Sequence, residues 1–391
     1  MTFFSRFLMS LMRFIGFALM FAFLVEQPVL FSQNFLQDPC FDYFYDVEKP
    51  SDIHYQLLSH GVDGYEIIRE SQTFPNPDRV GSGSVADTHI WLNSGIIYHN
   101  MKAGQDAIEA FKRSVEMGQD SENAYYSLGY WYKISGQLDK ALKVWEKGFK
   151  NYLRSKKFSI ALYKTYLSEK MYAKAELYAK EAIQIDPDAR STRFDLGMIY
   201  KGMSKFQKAV QAFQEEIKVN PNDARTYEQL GCLFSGPLND YPQAVSYYAK
   251  AVENGSQNGC TYNDLAWYSM VVGDHGPQVV QWAQKGLELD SENRHIQGTL
   301  AWAYYRNEAY EQAIVTFKNM GDNLSFIDCF GMGLTYLKLG QRLKGKRLMM
   351  RALSMPSVRM KKDEMIMIES ERSGAERILG KSFMNIGHFA Q

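Results

Sequence analysis

Small residues recur through this chain on a 34-residue grid. Gly95, Gly129, Gly197 and Gly231 fall on it, Tyr163 fills the slot between them, and the spacing then runs 35, 35 and 32 to Ala266, Ala301 and Gly333. A period of this size confines a chain to stacked supersecondary units, because one unit cannot bury its own apolar face. Other columns keep the same register. Three residues after the small position stand Tyr98, Tyr132, Tyr166, Tyr200, Phe234, Ser269, Tyr304 and Tyr336. One residue before it stand Ser94, Leu128, Leu162, Leu196, Leu230, Leu265, Leu300 and Met332. Twelve residues after it stand Ala107, Ala141, Ala175 and Ala209, with Ala313 in the seventh unit and Ala244 after a one-residue insertion. Eight units follow, starting near residues 88, 122, 156, 190, 224, 259, 294 and 326. Ser135-Gly136, Gly202-Met203 and Gly340-Gln341 mark turns within units. Asp186-Pro187 and Asn220-Pro221 stop a helix between units, since proline cannot continue one.

The first unit reads Trp91-Leu-Asn-Ser-Gly95-Ile-Ile-Tyr98 and then Ala107-Ile-Glu-Ala-Phe111. The fourth reads Leu196-Gly-Met-Ile-Tyr200, Ala209-Val-Gln-Ala-Phe213 and Pro221. Residues 88–357 thereby resemble the tetratricopeptide repeat family, whose signature is W-x2-L-G-x2-Y, A-x3-F and P. The sixth unit departs most: Ser269 replaces the aromatic, Val279 stands near the expected alanine, and Gly273 to Gln278 lengthen the hairpin. The resemblance implies an all-α fold, a right-handed α-α superhelix of about eight helical hairpins with its concave wall lined by the first helix of each. It also implies which residues face a ligand: Tyr126, Tyr130 and Lys133 in the second unit, Lys164 in the third, Phe194 and Lys201 in the fourth, and Trp302, Tyr305 and Arg306 in the seventh. Trp267 and Asn263 fall on the same positions of the sixth. The Lys and Asn set with which some members clamp a C-terminal carboxylate is absent from the matching positions. The competing reading is that several of these aromatics pack inside the stack.

Residues outside the repeats divide into three further segments. Arg6 and Arg13 precede the uncharged run Phe14 to Val25, which Glu26 ends. A spanning helix needs about 20 apolar residues, so this basic start and short apolar core read as a secretory signal over residues 1–32, cleaved before Gln33. The alternative is a retained anchor, with membrane association through residues 14–25. Residues 33–87 are an aromatic-rich, non-repeat segment expected to cap the first repeat, and 358–391 a C-terminal capping helix and tail.

Lys plus Arg number 44 and Asp plus Glu 44, so no net charge draws a polyanion, and nucleic acid is not expected as a partner. Cys40, Cys232, Cys260 and Cys329 show no metal-ligand spacing with the seven histidines. Cys232 and Cys260 fall in neighbouring units, where a bridge is geometrically open, and small buried thiols are the simpler expectation. Gly331-Met-Gly333 follows no strand and reads as helix packing rather than a phosphate loop. No nucleophile and base share a local arrangement, so neither an enzyme nor a cofactor is expected. The expectation is an exported scaffold that binds a protein or peptide. The alternatives are a membrane-anchored adaptor, or an enzyme that joins residues 33–87 to the repeat groove.

Overall fold

The computed structural model describes residues 91–92, 94–96, 98, 104–117, 122–152, 155–355 and 361–379. The expected signal segment over residues 1–32, the expected cap over residues 33–87, Cys40 and the tail beyond Leu379 therefore lie outside the described residues. Contacts divide the chain at residue 82, and every described residue belongs to the unit from Gly83 to Gln391.

That unit is all helix among the described residues. Helical residues from Trp91 to Tyr98 precede α1 (Gly104–Glu116), and complete hairpins follow. They are α2 (Glu122–Ile134) with α3 (Leu138–Asn151), α4 (Lys156–Ser168) with α5 (Tyr172–Ile185), and α6 (Thr192–Gly202) with α7 (Phe206–Val219). The next are α8 (Ala224–Ser235) with α9 (Tyr241–Glu253), and α10 (Gly259–Val271) with α11 (Pro277–Leu289). The last are α12 (Arg294–Arg306) with α13 (Tyr310–Asn319), and α14 (Phe326–Lys338) with α15 (Arg342–Leu353). Two short helices end the described chain, α16 (Lys362–Glu369) and α17 (Arg372–Leu379). Each first helix packs on its own second helix, and each second helix packs on the first helix of the next hairpin. First helices also touch one another, α10 with α12 and α12 with α14, so they stand side by side as one wall. The solenoid of helical hairpins expected from the grid is the fold observed.

The reason for the small-residue column is direct. A methyl group added at Gly129 would lie 2.2 Å from Trp145 Nε1, and one at Gly197 would lie 2.5 Å from the ring of Phe213. Gly95 faces Phe111 and Gly231 faces Tyr248 in the same way, where an added methyl group would lie 2.6 Å from each ring. The absent side chain on a first helix is thus the seat of a ring from the second helix, and hairpin after hairpin closes on this contact. The second column closes the same gap from the other side: Ala107, Ala141, Ala175, Ala209, Ala244, Val279 and Ala313 are all 0% exposed. In the last hairpin Gly345 takes this place against Leu337.

Tyr163 breaks the column without breaking the packing. Where the other units carry the ring on the second helix, this one carries Ala179, sixteen residues after Tyr163, as Phe213 is after Gly197. Tyr163 is 2% exposed and Ala179 0%, so the ring has moved from one helix to the other. The inversion also sends the Tyr163 hydroxyl into the next hairpin, where it donates to Asp195 Oδ2 at 2.9 Å.

The hairpin turns repeat as well. Gly136, Lys170, Ser204, Gly273, Glu308 and Gly340 hold φ between 56° and 95°, the left-handed region. The following residue donates its N–H back into the first helix, as Gln137 does to Tyr132 O and Lys205 to Tyr200 O, both at 2.8 Å. Gly202, expected as a turn glycine, is instead the last residue of α6, seated against Tyr172, and the reversal falls at Ser204. Between units, the carboxylate of buried Glu216 on α7 accepts from the backbone N–H groups of Ser191 (2.8 Å) and Phe194 (3.3 Å), anchoring the start of α6. Cys232, Cys260 and Cys329 are free thiols.

The inversion at Tyr163 makes a sharp test. Tyr163→Gly should cost about 3–5 kcal/mol by emptying a ring from the core. Adding Ala179→Phe should restore most of that, less the bond to Asp195. Urea unfolding of the double-mutant cycle measures the coupling, and strictly additive losses would show that the two positions do not share space.

Candidate functional site

The wall of first helices is the surface on which the expected ligand-facing residues were placed, and the structure sorts them into three groups. Tyr126, Tyr130, Lys133, Lys164 and Lys201 lie partly or fully open on α2, α4 and α6. Tyr126 leans on the rings of Trp145 and Phe158, with centroids 6.2 and 6.4 Å away, and Trp145 Nε1 donates to its backbone carbonyl at 3.0 Å.

Phe194 and Trp302 are corrections. Phe194 is buried, packed on Phe213 at 5.5 Å with the Arg225 guanidinium 5.3 Å above its ring. Trp302 is 0% exposed, and a methyl group at Gly331 would lie 2.6 Å from its indole. A glycine in the eighth unit opens a slot that draws the tryptophan of the seventh inside. Gly331-Met-Gly333 is therefore helix packing, with Gly333 giving way to Met349 in the same manner.

Tyr305 and Arg306 are corrections of another kind, because the chain itself covers them. The Tyr305 hydroxyl donates to Glu371 Oε2 and Arg306 Nη1 to Glu371 Oε1, both at 2.8 Å. Arg306 Nη2 also reaches Met367 O at 3.4 Å and the hydroxyl of Ser370. On the neighbouring first helix Trp267 Nε1 donates to Asp363 Oδ2 at 2.6 Å. The polar edge of the wall in repeats 6 and 7 is thus taken by the segment from α16 to the start of α17.

The open half, repeats 2–4, has an unusual charge arrangement. Lys157 Nζ donates to Asn123 Oδ1 at 3.1 Å and Lys201 Nζ to Gln229 Oε1 at 2.7 Å, each across to a neighbouring first helix. Both wall lysines meet an amide oxygen of a neighbouring first helix, whereas Lys156, at the start of α4, meets a carboxylate, Asp186, at 2.7 Å. An amide oxygen holds an ammonium in place without cancelling its charge. The Lys133 side chain is exposed, yet crowding at the wall and then the charge of Lys164 lower its pKa, with Glu169 opposing.

Sequence columns missed Asp195 and Asp264, one residue past the ligand-facing fifth position of their units. Both are half-buried, and desolvation lifts each carboxyl to about 6. Lys164, the hydrogen bond from Tyr163 and Arg225 pull Asp195 the other way. Nothing in the repeat signature marks this position; only the ring inversion at Tyr163 supplies Asp195 with its donor. Among the described residues no three His, Cys, Asp or Glu side chains are grouped as metal ligands, and no helix is long and apolar enough to cross a membrane.

Asp195 gives a pH test. Its folded pKa of about 6 lies above the unfolded value near ~3.9, so the native state holds the extra proton in between and this group's stability contribution falls as pH rises through that window. Asp195→Asn should therefore gain in melting temperature relative to the unsubstituted protein at pH 7.5. That gain should shrink by about a few degrees at pH 4.5. Paired thermal melts check the sign.

Comparison with known proteins places these hairpins. The tetratricopeptide repeat model matches residues 191–223, which hold the α6–α7 hairpin. The TPR repeat-containing protein MJ1428 of Methanocaldococcus jannaschii is 22% identical over 234 residues, 56% of this chain and 40% of that protein. The human PEX5-related protein is 29% identical over 164 residues, 38% of this chain and 26% of its own length. The chain thus spans two fifths or less of these curated relatives. Among solved structures, a tetratricopeptide repeat protein from Parabacteroides merdae gives a TM-score of 0.44 at 14% identity, covering 64% of this chain and 99% of that one. YrrB, a TPR protein with an unusual peptide-binding site, gives 0.42 at 14% identity, covering 50% and 97%. The repeat match, the relatives and the ladder of hairpins agree that the chain carries tetratricopeptide repeats stacked as a solenoid.

Proposed function

We propose that the protein is an interaction scaffold that holds an acidic, partly apolar peptide or protein segment on the first-helix wall of repeats 2–4. The observation that carries this reading is the pairing of Lys157 and Lys201 with amides instead of carboxylates, which leaves uncancelled charge on a surface that also presents Tyr126 and Tyr130. Aromatic area orders an apolar side chain with little loss of rotamer freedom, and the ammonium tips set register and favour an anion. Nothing in this geometry supplies a nucleophile beside a base, so binding is the function proposed. Export is part of the same proposal, supported by the basic start and short apolar run of residues 3–25.

Two measurements test it. Intact-mass analysis of protein from its native host should give a chain beginning near Gln33; retention of Phe14 to Val25 would instead support a membrane-anchored adaptor. A partner captured from that compartment should then lose about 1–3 kcal/mol of binding to Tyr130→Ala by calorimetry, with little change in melting temperature. Added salt should weaken binding only modestly, because few charges take part. Leu177→Ala, on the exposed face of second helix α5, is the control. If Leu177→Ala weakens binding and Tyr130→Ala does not, the wall of repeats 2–4 is not the site.

A further inference from the structure

The C-terminal segment could have capped the last hairpin and stopped there. α17 does touch α15, the final repeat helix, and so serves that purpose. α16 does something else: it packs on α10, the first helix of repeat 6, about a hundred residues back in the chain. Its anchors are spaced four residues apart. Asp363 accepts from Trp267, Met367 packs fully buried with its carbonyl beside Arg306, and Glu371 accepts from both Tyr305 and Arg306. Asp363 and Met367, four residues apart, share one face of α16, and Glu371 follows in the turn that joins α16 to α17. Ile368, 1% exposed, adds apolar area beside them.

The wall residues that receive this face are of one kind. Trp267, Tyr305 and Arg306 stand on first helices at the positions that the repeat pattern assigns to a ligand, and they are the types enriched at binding hot spots. The hairpins beneath them are already closed by their own contacts, Phe317 opposite Ala301 and Met349 opposite Gly333. Arg306, with only 9% of its side chain exposed, donates from Nη1 to the Glu371 carboxylate and from Nη2 to Met367 O and the Ser370 hydroxyl, and the first of these has the strength of a charge-assisted pair. The segment therefore meets the wall as a bound helix would, by an acidic and apolar face seated on aromatic and guanidinium donors.

We infer that the wall of repeats 6 and 7 is a second binding site, filled in cis by residues 361–371, and that it accepts from a partner a short acidic amphipathic helix with its following turn, carrying carboxylates eight residues apart around a central Met-Ile or similar apolar pair. The site is separate from the lysine strip of repeats 2–4 and does not depend on it. A partner must displace the chain's own segment, so the fraction of molecules with the segment released sets the apparent affinity.

The test uses the full chain and a fluorescein-labelled peptide of residues 361–379. Asp363→Asn with Glu371→Gln removes the anchors from the segment and leaves the wall intact. This double variant should bind the peptide at least about tenfold more tightly than the unsubstituted protein, and adding Arg306→Gln should abolish the gain. Hydrogen exchange should show residues 362–369 losing protection while α10, α12 and α14 keep theirs. Three results would overturn the inference: the double variant fails to bind the peptide, protection is lost across α10 to α15 together with α16, or the variant dimerises by exchanging segments instead of taking the peptide. The second would identify α16 as an integral part of the fold.

Discussion

A ring lying on a bare stretch of backbone holds this molecule together. Gly129 under Trp145, Gly197 under Phe213 and Gly231 under Tyr248 each bring two helices closer than any side chain at the glycine would permit. The hydrophobic gain is that of burying a large aromatic, but the geometric effect is wider. Once the distance within a hairpin is set, the first helix can meet only the next hairpin in one way, and the wall follows from repetition of that step. The left-handed turns at Gly136, Lys170, Ser204, Glu308 and Gly340 belong to the same economy, since each reverses the chain in the space the ring contact allows.

How much of this was legible depended on whether a residue's environment recurs. The grid announced the hairpins, the small column and the alanine column, because each unit repeats the same neighbours. It misjudged Trp302, whose fate is decided by Gly331 in the following unit and not by its own position. Phe194 failed for a related reason: Phe213 and Arg225 enclose it from two different hairpins. Asp195 was invisible because its donor exists only where Tyr163 inverts the packing. The course of α16 was beyond reach altogether, because a segment outside the repeats has no register to read, and only the folded contacts tie Asp363 to Trp267 and Glu371 to Arg306.

The wall is consequently not uniform. Its upstream part pairs lysines with amides, so charge is held in position but left uncancelled. Its downstream part has Arg306 Nη1 and the Trp267 indole N–H donating to carboxylates of the same chain. The two parts use the same helical positions, yet differ in what a ligand would meet: an unpaired field in one case and an internal competitor in the other. A buried guanidinium without its carboxylate is costly, which gives the downstream part a reason to be covered whenever no partner is present.

Tyr163 has a consequence for the order of the modules. Repeat arrays are often treated as interchangeable beads that can be deleted, duplicated or shuffled. Here the third bead carries its ring on the opposite helix and spends its hydroxyl on the Asp195 carboxylate of the fourth. Moved elsewhere, it would leave one phenol without an acceptor and one carboxylate without a donor. The inversion therefore acts as a keyed joint: it fixes which bead follows which, and a designer who extends or rearranges this array must cut on either side of the pair, never through it.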